Sequence, residues 1–81
     1  MSSEQQALKV IITRQPVELY KVLKFEGIAD SGAQAKLFID DGRVSVNGEV
    51  ETRRRRKIID GDTICTSQIC MRIVYQPGIE P

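Results

Sequence analysis

Asn47-Gly48 limits the possible folds of this chain more than any other feature. Both residues tolerate the positive φ of a type I′ turn, and alternating valines flank them. Val44 and Val46 lead in and Glu49-Val50-Glu51-Thr52 leads out, so the spacing predicts a β-hairpin. Everything after Gly42 reads as strand and turn. A tight turn falls at Asp60-Gly61-Asp62. Two further strands are predicted at Thr63-Ile64-Cys65-Thr66 and Met71-Arg72-Ile73-Val74-Tyr75, joined by a short loop near Ser67-Gln68.

Before Gly42 the apolar period changes. Leu8, Val10 and Ile12 alternate, which predicts a short first strand with those three on one face. After Pro16, residues Leu19, Val22 and Leu23 recur at helical spacing until Gly27 supplies a stop. Ser31 with Gln34 three residues later is a capping-box pattern opening a second helix. Its buried stripe is Ala35, Phe38 and Ile39, and Gly42 closes it. At 81 residues the chain holds one domain, expected over residues 8–75 between a flexible start (1–7) and a loose tail (76–81).

Net charge is only +1, but its distribution is uneven. Residues 1–52 carry six basic and eight acidic side chains, whereas Arg53, Arg54, Arg55, Arg56 and Lys57 are all cationic. A field concentrated in this way can steer a polyanion although the molecule as a whole is almost neutral. Extended, five residues span roughly 16 Å, enough to meet several backbone phosphates. Arginine can grip a phosphate through two N–H groups, which lysine cannot do. If three to five charges each met a phosphate, the salt slope of binding would be roughly 2 to 4. A solvated strand edge is the plainer reading, and it accounts for one or two charges better than for five of one sign.

The helices add candidates. Lys21 and Lys24 lie on a solvent-facing side of the first helix, and Lys36 belongs to the second. The uncrowded helix start at Ser31 and Gly32 leaves backbone N–H groups for either a phosphate oxygen or ordinary solvent. Tyr20 and Phe25 can contact a base or pack on the sheet. Phe38 reads as core. With so few aromatics, recognition of folded RNA by phosphates and shape is favoured over single-strand stacking, and DNA stays open.

Catalysis is disfavoured. The chain has no histidine, and the close carboxylates Asp40-Asp41 and Asp60-x-Asp62 flank glycines at turn positions. No nucleotide-binding fingerprint is present, so no cofactor is expected. Cys65 and Cys70 lack the partners of a zinc site and read as two reduced structural thiols of a cytoplasmic protein. Residues 1–7 are too polar for a leader, and no apolar stretch approaches a membrane span.

Taken together, Leu19, Gly27, Ser31, Ala35, Ile39, Gly42, Val44, Val46, Asn47 and Gly48, followed by Gly61, Asp62 and Ile64, resemble the pattern of the S4-like RNA-binding domain. The nearest likeness is to its small stand-alone, ribosome-associated members. The resemblance implies an α+β fold of the αL-motif type, with two antiparallel helices packed on a small curved, mainly antiparallel sheet. It also implies that structured RNA, ribosomal RNA above all, lies along the helical face and adjoining loop; a monomer is expected.

There are departures from the pattern. Glu18 and Tyr20 stand where the family has arginine and aspartate, and Gly32 replaces an arginine that meets the phosphate backbone. The run at 53–57 can compensate from the sheet side, with Lys21, Lys24, Lys36 and Arg43 as the remaining cations near the helical face. The alternative is a protein-interaction module whose basic segment meets an acidic partner or whose exposed strand pairs with one.

Overall fold

The computed structural model describes residues 7–78. Nine short elements follow one another. Strands β1 (Leu8–Ile12) and β2 (Val17–Glu18) precede helices α1 (Leu19–Phe25) and α2 (Gly32–Asp40). Then come β3 (Ser45–Val46), β4 (Glu49–Val50), β5 (Lys57–Ile58), β6 (Thr63–Cys65) and β7 (Cys70–Tyr75). Five strands form a sheet in the order β1-β7-β6-β3-β4, and β2 pairs separately with β5. All pairings are antiparallel except β1 with β7. Two helices on a mixed, mainly antiparallel sheet are the architecture expected from the sequence.

The turn at the centre of the hairpin forms as its residues require. Asn47 has φ 53° and Gly48 φ 89°, and the pair joins β3 to β4. The Asn47 side chain does more than permit the turn. Its Nδ2 donates to Asp62 Oδ1 at 3.0 Å, and its Oδ1 accepts from the Thr63 amide at 2.9 Å. Asp62 in turn accepts from the Ile59 amide at 2.9 Å. The two turns named in the sequence are thereby tied to each other.

Ser31 caps α2 by accepting from the Gln34 amide at 3.1 Å, while Gln34 Oε1 accepts from the Asp30 amide at 2.6 Å. This is the reciprocal capping expected, shifted outward by one residue from the ideal box. Leu19 and Leu23 of α1 and Ile39 of α2 are fully buried together with Ile58, Ile64, Met71 and Ile73. Each such side chain contributes roughly 1.5–3 kcal/mol of transfer free energy, the main force holding helices to sheet.

Four local expectations are corrected. Leu8 begins an edge strand and is exposed, so only Val10 and Ile12 of its alternating set are buried. The return strand of the hairpin stops at Val50, because Glu51 turns inward to accept hydrogen bonds from Arg53 and Arg56. Phe38 is only partly buried, packed against the core's margin. Cys65 and Cys70 are joined as a disulfide and are not reduced thiols, because antiparallel β6 and β7 place them directly opposite.

Candidate nucleic-acid interface

The basic run is folded back on itself and does not lie extended. The Arg53 carbonyl accepts from the Arg56 amide at 3.2 Å, which turns the chain at Arg54-Arg55. The carbonyls of Arg56 and Arg54 then accept from the Leu19 and Tyr20 amides at 2.9 and 3.2 Å. The opening amides of a helix have no intrahelical partner, and here the basic loop supplies one for two of them. The roughly 16 Å reach of an extended segment is replaced by a compact loop seated on the start of α1.

Two carboxylates offset the mutual repulsion of the five cations. Glu51, only 6% exposed, accepts from Arg53 Nε at 2.8 Å, Arg53 Nη2 at 3.0 Å and the Arg53 amide at 3.0 Å. It also accepts from Arg56 Nη1 at 2.7 Å. The Arg53 hydrogen bonds, reinforced by Arg56, hold the Glu51 carboxyl down at about 2. At the end of α2, Asp40 receives Arg54 through two nitrogens, at 3.1 and 2.7 Å, and the same guanidinium lowers its pKa.

Sequence pattern alone singles out neither carboxylate for this role. Glu51 reads there as part of a strand, although a glutamate two residues ahead of an arginine run is a usable signal. Asp40 lies fourteen residues from its partner, a distance no local pattern bridges.

Five cations against two carboxylates leave three positive charges in excess. Among the described residues, Arg55 and Lys57 form no ion pair. Arg53, Arg55, Arg56 and Lys57 line an open groove of about 580 Å³ with no acidic residue in its wall.

The helical candidates divide into two groups. Lys36 lies over the Tyr20 ring at 4.7 Å and Lys21 stands 6.0 Å from the same ring, within cation–π range. The other side of this arrangement is Gly32, where a Cβ would meet the Tyr20 ring at 3.7 Å. Two of the departures from the family pattern, Tyr20 and Gly32, are thus one packing arrangement. Lys21 also approaches Glu18 at 3.8 Å and, with Lys57, lines a second cleft of about 590 Å³.

Lys24 is exposed on α1 without such a contact. Arg43 is engaged elsewhere, 3.8 Å from Asp41 and 5.7 Å from the Phe38 ring, and no contact joins it to the run. The Ser31 hydroxyl is occupied as a helix cap. Among the described residues no cluster of three or more metal-ligating side chains occurs, and no helix is long and apolar enough to cross a membrane.

The S4 domain family model matches residues 10–74. The chain is 48% identical over 58 residues to YbcJ of Escherichia coli, whose name provisionally assigns it to RNA binding. That match covers 72% of this chain and 83% of YbcJ. RlbA of Bacillus subtilis, provisionally named for ribosome maturation, is 34% identical over 55 residues, covering 68% of this chain and 78% of RlbA. The solution structure of YbcJ, described as revealing an αL motif involved in RNA binding, superposes with a TM-score of 0.66 at 39% identity. It covers 91% of this chain and 95% of YbcJ. This chain therefore belongs to the S4 domain family, and its helices and sheet are the αL-motif architecture.

Proposed function

We propose that this protein is a non-catalytic RNA-binding module that holds structured RNA by its phosphate backbone. Arg53, Arg55, Arg56 and Lys57 form the main contact, and Lys21 and Lys36 extend it along the helices. The observation that carries the reading is the groove walled by those four cations. Glu51 and Asp40 fix the guanidiniums of Arg53, Arg54 and Arg56 without cancelling the charge. Lys24, Ser31, Gly32 and Arg43 are secondary candidates. RNA as the ligand is supported by the names of YbcJ and its structure. A ribosomal target is supported by the name of RlbA.

The test is titration of a short RNA hairpin at several salt concentrations with wild type and the double variant Arg55→Ala/Lys57→Ala. Neither side chain makes an ion pair among the described residues, so the fold should persist, and circular dichroism checks this. Removing one cation from its phosphate flattens the log–log salt slope by roughly 0.9 on duplex, so a decrease of about 1 to 2 is expected. An unchanged slope with unchanged affinity would refute the assignment. An acidic protein partner that co-purifies stoichiometrically after RNase treatment would favour the protein-interaction reading instead.

A further inference from the structure

Phe25, the last residue of α1, is 68% exposed, the highest exposure among the large apolar side chains of the described residues. An aromatic ring left in water forfeits burial worth roughly 1.5–3 kcal/mol, so its placement calls for an explanation. The ring lines the 590 Å³ cleft already noted, together with the half-exposed Ile11 of β1. Around these apolar walls stand Arg14, Lys21 and Lys57, against the single carboxylate of Glu18, which Lys21 already approaches. Arg14 and Lys57 have no ion-pair partner among the described residues. Lys57 lines both this cleft and the cationic groove, so the two share that side chain.

An aromatic wall with unpaired cations at its rim matches the two chemical halves of a nucleotide. Every base has a π-face that can stack on an exposed ring, and its flanking phosphates take the cations. A paired base inside a stem cannot use such a wall, since both of its faces are already stacked. We infer that the cleft between Phe25, Arg14 and Lys57 receives one unpaired nucleotide of the bound RNA. This rests on the RNA-binding reading above and narrows the ligand class to structured RNA carrying a bulge or loop base beside a stem.

Two RNA duplexes of two separate strands test it, one with a single bulged 2-aminopurine and one fully paired, each titrated with wild type, Phe25→Ala and Phe25→Trp. Wild type should prefer the bulged RNA and change the 2-aminopurine fluorescence by stacking. Phe25→Ala should lose roughly 5- to 150-fold on the bulged RNA only, the range that base–aromatic stacking supports, and should leave the salt slope unchanged. Phe25→Trp should retain both preference and signal.

Equal binding of the two RNAs by wild type, or an Ala variant indistinguishable from it on the bulged RNA, overturns the inference. The groove assignment survives that result if the Arg55→Ala/Lys57→Ala variant still flattens the salt slope. Binding of neither RNA by wild type overturns both.

Discussion

Asn47 and Asp62, fifteen residues apart, are joined by a 3.0 Å hydrogen bond that locks the hairpin turn to the turn before β6. Asp62 is nearly buried and also holds the Ile59 amide, so the pair sits at the junction of two loops and the sheet. This gives both motif residues a structural role.

Asp62→Ala should therefore destabilise the fold by about 2–3 kcal/mol, because it strands two donors in a largely desolvated place. Asn47→Ala should cost a similar amount, about 2–3 kcal/mol, since it loses the bonds to Asp62 and Thr63 and places alanine at φ 53°. Urea denaturation measures both. The salt slope of RNA binding by either folded variant should match that of wild type, and a flattened slope would place Asn47 or Asp62 in the interface.

Glu51→Gln tests the buttress under the basic loop. Losing a charged acceptor for Arg53 and Arg56 should lower stability by about 2 kcal/mol. Removing its negative charge should also steepen the salt slope of RNA binding, as the two guanidiniums become available to phosphate. A stability loss with a flatter slope would mean that loop order matters more than loop charge.

Glu51 also sets a pH window. Its carboxyl is held at about 2 in the fold against an ordinary value of 4.5. A carboxylate lowered on folding contributes stability that is complete above its unfolded value and is lost as pH falls towards the folded one. Wild type should therefore lose stability between about pH 4.5 and pH 2, with Asp40 acting in the same direction. Glu51→Gln should show a shallower decline over that window, measured by thermal melts in acidic buffers. Parallel curves would separate Glu51 from acid unfolding.

The Cys65–Cys70 bridge closes a very short loop, a sequence separation of 5. Chain-entropy arguments give such a loop a stabilisation of about 2 kcal/mol. Reduction, or Cys65→Ser/Cys70→Ser, should lower the melting temperature accordingly and leave RNA affinity unchanged, since neither cysteine adjoins the groove. A loss of affinity on reduction would place the β6–β7 hairpin in the interface.

Most of the fold was legible because its signals are local. Ser31 with Gln34, the positive-φ pair Asn47-Gly48 and the stripe Leu19, Val22 and Leu23 each act within a few residues of chain. What escaped was set by contacts between distant segments. Strand β2 exists because Val17 and Glu18 find Ile58 and Lys57, some forty residues on. The turn within the basic run exists because the opening amides of α1 donate to its carbonyls. The disulfide depends on which residues β6 and β7 bring opposite one another.

Of the candidate site, the cations were visible as composition, whereas Asp40 as a partner of Arg54 required the helices to be placed first. Tyr20 and Phe25 looked equivalent in sequence. Only the fold separates them, with Tyr20 against Gly32 beneath Lys36 and Phe25 left in solvent.

Because Arg54 and Arg56 terminate the amide ladder of α1 with their own carbonyls, the charged loop and the helix form a single stiff piece. Loop freedom is surrendered when the chain folds, so little is left to lose when a polyanion arrives. On the RNA-binding reading proposed above, the cations meet their ligand on a backbone already tied to α1.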